Sequence, residues 1–422
     1  SETGNKIKGV DNNKFVGYDS TTIESEIFHI ENIESNSIIF TKENPFYFEA
    51  GGQISDKGSI QFNDEIIDVK EVIQSDTGST GLVIKNEKIK IGDNVTLKVD
   101  ERFRSSVSKS HTAAHLVHSS LRNILGDHVA QAGSHVAPGK FRFDFSHTDK
   151  VKVEELDEIF QMSNDNIYKD LSVDTNVMNI NKAKEEGALA FFGDKYDEDV
   201  RVVNIGNFSK ELCGGTHVHN SNEVGMIVLL NESSIGSNLR RIEMLSGEQA
   251  YSFMSNAYKS YKSVSEMLQT NIEQVPEKLK SFMETYEDIK KKIDTYNKQE
   301  SGKELERIIN ETKEISNLKT YIGTANISDS NEAKDIAVQS IKNHNLDFTF
   351  LLAKIETKTV IVGCKNSETL DSFDVSEIVS KASKLYGGGA SKDSTLSIGG
   401  GPSEYDDDKC IEYVTQEFTK NI

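Results

Sequence analysis

Two short stretches of this chain combine residue types that can hold a metal ion. "HTAAHLVH", residues 111–118, places His111 and His115 four apart. On a helix that spacing puts both imidazoles on one face, where they can meet a single ion. "SKELCGGTHV", residues 209–218, adds Cys213 and His217 around two glycines and a threonine. Three imidazoles and one thiolate make a tetrahedral zinc set. Gly214 and Gly215 would let the backbone fold tightly around the ion or admit a substrate beside it. His118, one turn beyond His115, is either a further ligand or a group that supports the ligands from behind. His219 has no evident role. The alternative is a buried cysteine among unrelated histidines. A histidine pair four apart is also the spacing of zinc peptidases, but there the residue after the first histidine is a glutamate acting as general base. Here it is Thr112, which argues against peptide cleavage.

These residues need elements to bring them together. "ERFRSSVSKSHTAAHLVHSSLRNILG" reads as a helix from Glu101 that ends at Gly126. "FRFDFSH" alternates Phe141, Phe143 and Phe145 against Arg142, Asp144 and Ser146, a half-buried strand. "KVEELDEIFQMSNDNIYKDL" is a second amphipathic helix, "VRVVNIG" and "GMIVLLNES" are strands on either side of the cysteine turn, and "LRRIEMLSG" is a third strand. Residues 101–248 therefore form an α+β domain. Before them, residues 1–100 carry several short Ile- and Val-rich strands at the spacing of a small β-barrel. Residues 249–318 lack strand signals. Leu279, Phe282, Tyr286, Ile289, Ile293 and Tyr296 form a short heptad seam there, with Pro276 at a helix start. This helical linker or coiled coil fits an intramolecular hairpin or a homodimer equally. Residues 319–422 alternate strand and helix, a small α/β domain. Its stretch "YGGGASKDSTLSIGGGP" either lets backbone approach a ligand or is a flexible surface loop, and its spacing is not that of a phosphate-binding P-loop. The expected fold class is α+β and multidomain.

The chain has 422 residues and a formal net charge of −20, a balance that taken alone argues against nucleic acid. Between residues 101 and 150 it reverses. Arg102, Arg104, Lys109, Arg122, Lys140, Arg142 and Lys150 face only Glu101, Asp127, Asp144 and Asp149, and six of the ten histidines fall there. No apolar run approaches the ~18 residues of a membrane helix, and the polar N-terminus has no signal peptide. Three scattered cysteines do not make a disulfide framework, which points to a reducing, cytoplasmic setting. The missing initial Met suggests a fragment of something longer.

Taken together, "HTAAH", "ELCGGTH", "FYFEAGGQISDKG", "QAGSHV", "FRFDFSH" and "LRRIE" resemble the editing region of alanyl-tRNA synthetases and the freestanding AlaX editing proteins. The resemblance spans roughly residues 14–250. Residues 251–422 resemble the C-terminal extension of the same synthetases, where family members often carry a longer glycine run followed by Arg-Pro and a Gln-containing stretch. The resemblance implies hydrolysis of serine or glycine wrongly esterified to tRNA(Ala), with His111, His115, Cys213 and His217 holding zinc. It places Gln131 near the scissile ester and Arg240 at a position tied to editing, where it could pair with a terminal phosphate or ribose; a surface salt bridge is the alternative for Arg240. Thr112 could contact the serine hydroxyl or merely pack within its helix. By the same resemblance 319–422 is a tRNA-binding or oligomerisation domain. Nothing in the chain supplies an ATP site, so the expectation is the C-terminal part of a synthetase that does not itself charge tRNA. The other readings are a freestanding AlaX-type hydrolase and a non-catalytic tRNA-binding module with structural zinc.

Overall fold

The computed structural model describes residues 7–33, 35–85, 88–190 and 197–422; residues 1–6, the start of the polar N-terminal stretch, lie outside the described residues. The chain divides into two compact units, Ser1–Val264 and Ser265–Ile422.

The first unit begins with short strands: β1 (Lys14–Phe15), β2 (Thr22–Ile33), β3 (Asn36–Thr41), β4 (Glu43–Asn44), β5 (Gly58–Phe62), β6 (Glu65–Asp68), β7 (Glu71–Gln74), β8 (Thr80–Ile84) and β9 (Asn94–Val99). Strand β9 shows why they pair. Val95, Leu97 and Val99 are buried while the residues between them face outward, the period of two that a pleated strand imposes. Seven of the strands form one sheet in the order β6-β5-β9-β2-β3-β8-β7. Strand β2 serves both halves, pairing with β9 through Thr22–Glu26 and with β3 beyond a bulge at Ile27/His29. At the other seam the chain passes from β6 to β7 with Val69 N donating to Gly58 O and Lys70 N donating to Val83 O. The sheet thereby closes into the expected small barrel, around Ile27, Ile39, Phe46, Ile60, Leu82 and Leu97.

Helix α1 (Glu101–Leu125) follows directly. Asp100 caps it by accepting from Phe103 N, and Gly126 ends it with its N–H returning to Arg122 O. Near its start Arg104 forms a buried ion pair with Asp56 of the β4–β5 segment and donates to Pro45 O at 2.8 Å. The rest of the unit is β10 (Gln131–Ala137), β11 (Lys140–Ser146), α2 (Val153–Tyr168), β12 (Val173–Asn179), α3 (Ile180–Glu185), β13 (Asp199–Ile205), β14 (Ser209–Leu212), β15 (Ile227–Gly236), β16 (Leu239–Ser246) and, as far as Val264, α4 (Gly247–Met267). Antiparallel sheet β10-β11-β16-β15 packs against α1 and α2, and β12-β13-β14 forms a second sheet. Phe141, Phe143 and Phe145 enter the core with Ala113, Leu116, Val117 and Ile242. Asp144 departs from the expected half-buried alternation. It is nearly as buried as the phenylalanines because Arg241 binds both its oxygens, at 2.7 and 2.8 Å.

In the second unit α5 (Val275–Asn310) starts with Pro276 in its first turn. Its seam residues Leu279, Phe282, Tyr286, Ile289, Ile293 and Tyr296 are all exposed. After it come β17 (Lys313–Ile315), β18 (Leu318–Thr324), α6 (Ser330–His344), β19 (Phe348–Ile355), β20 (Lys358–Lys365), α7 (Val375–Leu385), β21 (Gly389–Ala390), β22 (Leu396–Gly401) and α8 (Asp407–Asn421). The strands form one mixed sheet, β17-β18-β19-β20-β22-β21. Strand β19 is covered on both faces: Phe348, Phe350 and Leu352 pack with α7 and α8, Leu351 and Ala353 with α6 and the end of α5. The glycine-rich stretch is not one loose surface loop. It supplies β21 and β22, which pair through Gly389↔Gly400. A Cβ on Gly388 would overlap the carbonyl of Gly400, so close backbone packing accounts for glycine there. The architecture is α+β, in more than one unit, and among the described residues no helix is long and apolar enough to cross a membrane.

Candidate metal centre

Helix α1 presents His111 and His115 from one face, and β14 runs straight into the 213–217 loop that carries Cys213 and His217. One ligand atom from each of the four lies within 4.8 Å of the others. Cys213 Sγ is 3.5 Å from His111 Nε2 and 3.3 Å from His217 Nε2. The two stretches, about a hundred residues apart, thus meet at one point.

What lies behind each imidazole decides which nitrogen faces inward. His111 Nδ1 is 2.8 Å from Gln53 Oε1; an amide oxygen only accepts, so the proton sits on Nδ1 and the Nε2 lone pair is free for a metal. The same Gln53 oxygen accepts from Thr216 N at 2.8 Å, and Gln53 Nε2 donates to Thr216 Oγ1 at 3.0 Å. His217 Nδ1 meets Thr112 Oγ1 at 3.1 Å. His115 Nδ1 faces Glu211 Oε1 at 3.8 Å. The loop carbonyls are held too: Arg201 Nη1 donates to Cys213 O at 2.8 Å and Gly215 O at 2.9 Å, and Tyr18 OH donates to Gly214 O at 2.5 Å. The Arg201 guanidinium stacks 4.1 Å over the Tyr18 ring, a cation–π contact. Gly215 must be glycine, since a Cβ there would overlap the His111 ring and come within 2.9 Å of Gln53 Oε1.

Burial sets the charge state. It drives His111 down to about 3, helped by the neighbouring His115, and drives His217 well below the usual imidazole range. It also lowers His115. Burial pushes the Cys213 thiol up to about 12, against the Gly215 N–H that points at its sulfur. Without a metal the cluster is therefore three neutral imidazoles and a thiol. Burial alone would raise Glu211, but His115 and His118 more than offset it and hold its carboxyl at about 2. Three imidazoles and one sulfur with a ligand atom each within 4.8 Å of the others are the donor set of a tetrahedral zinc site, and the residues present fit that ion.

The cluster opens on a cavity of about 290 Å³, near the lower end of the ~300–1,000 Å³ typical of small-molecule sites. His111, His115, Cys213, Gly214, Gly215 and Gln131 all line it. Gln131, first residue of β10, donates to Ser134 Oγ at 3.3 Å. Two expected substrate contacts lie elsewhere. Thr112 is fully buried, and its hydroxyl is taken by His217 and by the donating Val218 N at 3.3 Å; its placement fits support of a ligand, not contact with a serine hydroxyl. Arg240 is not among the cavity's lining residues and pairs with Glu232 at 2.5 Å, a largely buried ion pair and not a surface one. His118 stands behind the ligands, packed on Phe143 with ring centroids 4.9 Å apart. The sequence did not single out Gln53, Glu211, Tyr18 or Arg201. The first two lie inside "FYFEAGGQISDKG" and "ELCGGTH", where a signal existed; nothing local marks Tyr18 or Arg201.

Two family models match this chain: "Threonyl and Alanyl tRNA synthetase second additional domain" over residues 200–243, and "tRNA synthetases class II (A)" over residues 3–103. The alanine–tRNA ligase of Oceanobacillus iheyensis is 34% identical over 420 residues, covering 97% of this chain and 48% of that protein. That of Bacillus subtilis is 33% identical over 401 residues, 92% of this chain and 45% of that protein. Nearly the whole of this chain is similar to a part of these alanine–tRNA ligases. It spans about half the length of the curated alanine–tRNA ligases it matches. The crystal structure of the C-Ala domain from Aquifex aeolicus alanyl-tRNA synthetase covers 26% of this chain and 98% of its own at 16% identity, with a TM-score of 0.24, too low to argue from. The first family model falls on β13 through most of β16 and contains Cys213 and His217; the second falls on the barrel and the start of α1.

Proposed function

We propose that this chain is the post-transfer editing part of an alanine–tRNA ligase, a zinc-containing deacylase that hydrolyses serine and glycine wrongly esterified to tRNA(Ala) in the cytoplasm. The observation that carries it is a four-ligand metal cluster opening on a cavity that Gln131 also lines. The need is physical: a site built for alanine rejects glycine by only the ~1–3 kcal/mol of one methyl group, so a second, hydrolytic site raises fidelity. Zinc, when bound, supplies a Lewis acid to the aminoacyl ester. The chain does the rest. His111, His115, Cys213 and His217 hold the ion, and Gly214 and Gly215 keep side chains out of the cavity mouth. Gln131, with one acceptor and two donors, orients a water toward the carbonyl carbon. The water oxygen bonds to that carbon, the ester C–O bond breaks, the ribose oxygen takes a proton from the water, and the amino acid departs with a free carboxyl.

A second reading is favoured by one feature: four protein ligands are the count of a closed, structural zinc site, whereas catalytic zinc usually keeps a position open. On that reading the chain is a tRNA-binding module. Assay of Ser-tRNA(Ala) and Ala-tRNA(Ala) separates them. Editing requires loss of serine, sparing of alanine, and loss of turnover in His111→Ala with His115→Ala. Salt-sensitive binding of tRNA with the ester left intact would establish the structural module instead.

A further inference from the structure

Glu211, on β14, is 1% exposed and has no part in the chemistry above. A carboxylate so deep in a protein needs a reason, because an unpaired buried charge is costly. One oxygen accepts from Ser209 Oγ at 3.0 Å and faces His115 Nδ1 at 3.8 Å; the other faces His118 Nδ1 at 3.2 Å. His115 Nδ1 and both His118 nitrogens are buried without a hydrogen-bond partner among the described residues. The other two ligand imidazoles already have theirs, Gln53 behind His111 and Thr112 behind His217. His115 alone has a charged group behind it.

Charge counting gives a second argument. Three neutral imidazoles, one thiolate and a divalent cation sum to a charge of about +1, beside the further positive charge of Arg201 on the loop carbonyls. One buried carboxylate offsets part of it. We propose that Glu211 is a positioning residue of the metal centre: its carboxylate orients His115 through Nδ1 and supplies negative charge that offsets the positive charge of the loaded site, with His118 seated on Phe143 to keep it in place. The proposal rests on the reading that His111, His115, Cys213 and His217 hold a divalent cation. Groups that stand behind ligand histidines commonly change metal affinity 10–100-fold when removed.

The test is zinc affinity of the full chain, measured by competition with a chromophoric chelator, for wild type and Glu211→Gln, which keeps shape and removes charge. The expected result is one zinc per wild-type chain and an affinity roughly 10–100-fold weaker in the variant, with the cobalt-substituted visible spectrum still that of one sulfur and three nitrogens. A merely structural role would lower the melting temperature of both metal-free and loaded forms and leave the affinity alone; that outcome overturns the proposal. Should Glu211→Gln not fold, nitrogen-15 NMR of the wild-type histidines decides. His115 protonated at Nδ1 and metal-bound at Nε2 supports the assignment, and the reverse overturns it. A wild-type chain that takes up no zinc overturns the metal reading itself, and this proposal with it.

Discussion

Buried histidines and a buried thiol pull metal binding in different directions with pH. The imidazoles of His111, His115 and His217 have all been lowered by burial, so at neutral pH they stand ready as ligands. Cys213, pushed up to about 12, must surrender its proton as the ion arrives. Zinc uptake at pH 7 is therefore expected to release about one proton per chain, and affinity to fall about tenfold per pH unit on acidification. Calorimetry in buffers of different ionisation enthalpy measures the proton count directly; a count near zero would contradict the thiol assignment. The metal-free protein has its own pH dependence. A histidine whose folded value is depressed stabilises fully above the unfolded value of about 6.5 and loses that contribution as pH falls. For His111 the loss runs from there toward about 3, at up to about 1.4 kcal/mol per pH unit. Urea midpoints of the metal-free chain should drop across this window, and those of a His111→Phe variant should drop less. Gln131 touches the cavity and no ligand, so Gln131→Ala is expected to slow deacylation by an order of magnitude or more with zinc stoichiometry unchanged, checked by single-turnover assay beside metal analysis.

Among the elements, the 213–217 loop depends on its backbone more than on its side chains. Adding a methyl group at Gly215 drives a Cβ into His111, whereas at Gly214 nothing lies within 4 Å. Gly215→Ala is expected to abolish zinc binding and Gly214→Ala to leave it within a factor of a few, compared by chelator competition. The same contrast explains what could be read in advance. Helix α1 was legible because its change of period at Glu101 and its stop at Gly126 are local signals. The meeting of His111, His115, Cys213 and His217 was legible because few residue types bind zinc and their spacing on a helix is informative. Short β14 carried too few residues to show a period. The anchors were hidden for a different reason: Gln53 reaches His111 across 58 residues, and Tyr18 reaches Gly214 across 196. Glutamine and tyrosine have many ordinary uses, so nothing short of the folded chain pairs them with these partners. Residues 386–402 misled because glycine runs look alike whether they form a loose loop or two closely packed strands.

For the whole molecule, every residue of the metal cluster and its cavity belongs to the unit Ser1–Val264. A chain ending at residue 270 is expected to bind one zinc with unchanged affinity, read by the same competition assay; a large loss would show that the second unit supports the site. The net charge of −20 is a sum over the whole chain, within which residues 101–150 carry a local basic excess. One further consequence follows from α1. Its first turn is bolted to the barrel through Arg104 and Asp56, and about two turns later it delivers His111 and His115. The helix is in effect a crank with one end clamped. Inserting a single residue between the two ends would swing both imidazoles by about 100° while the guanidinium stayed seated, so length changes in this stretch are closed to the chain, and any load borne by the barrel is felt where the cation would sit.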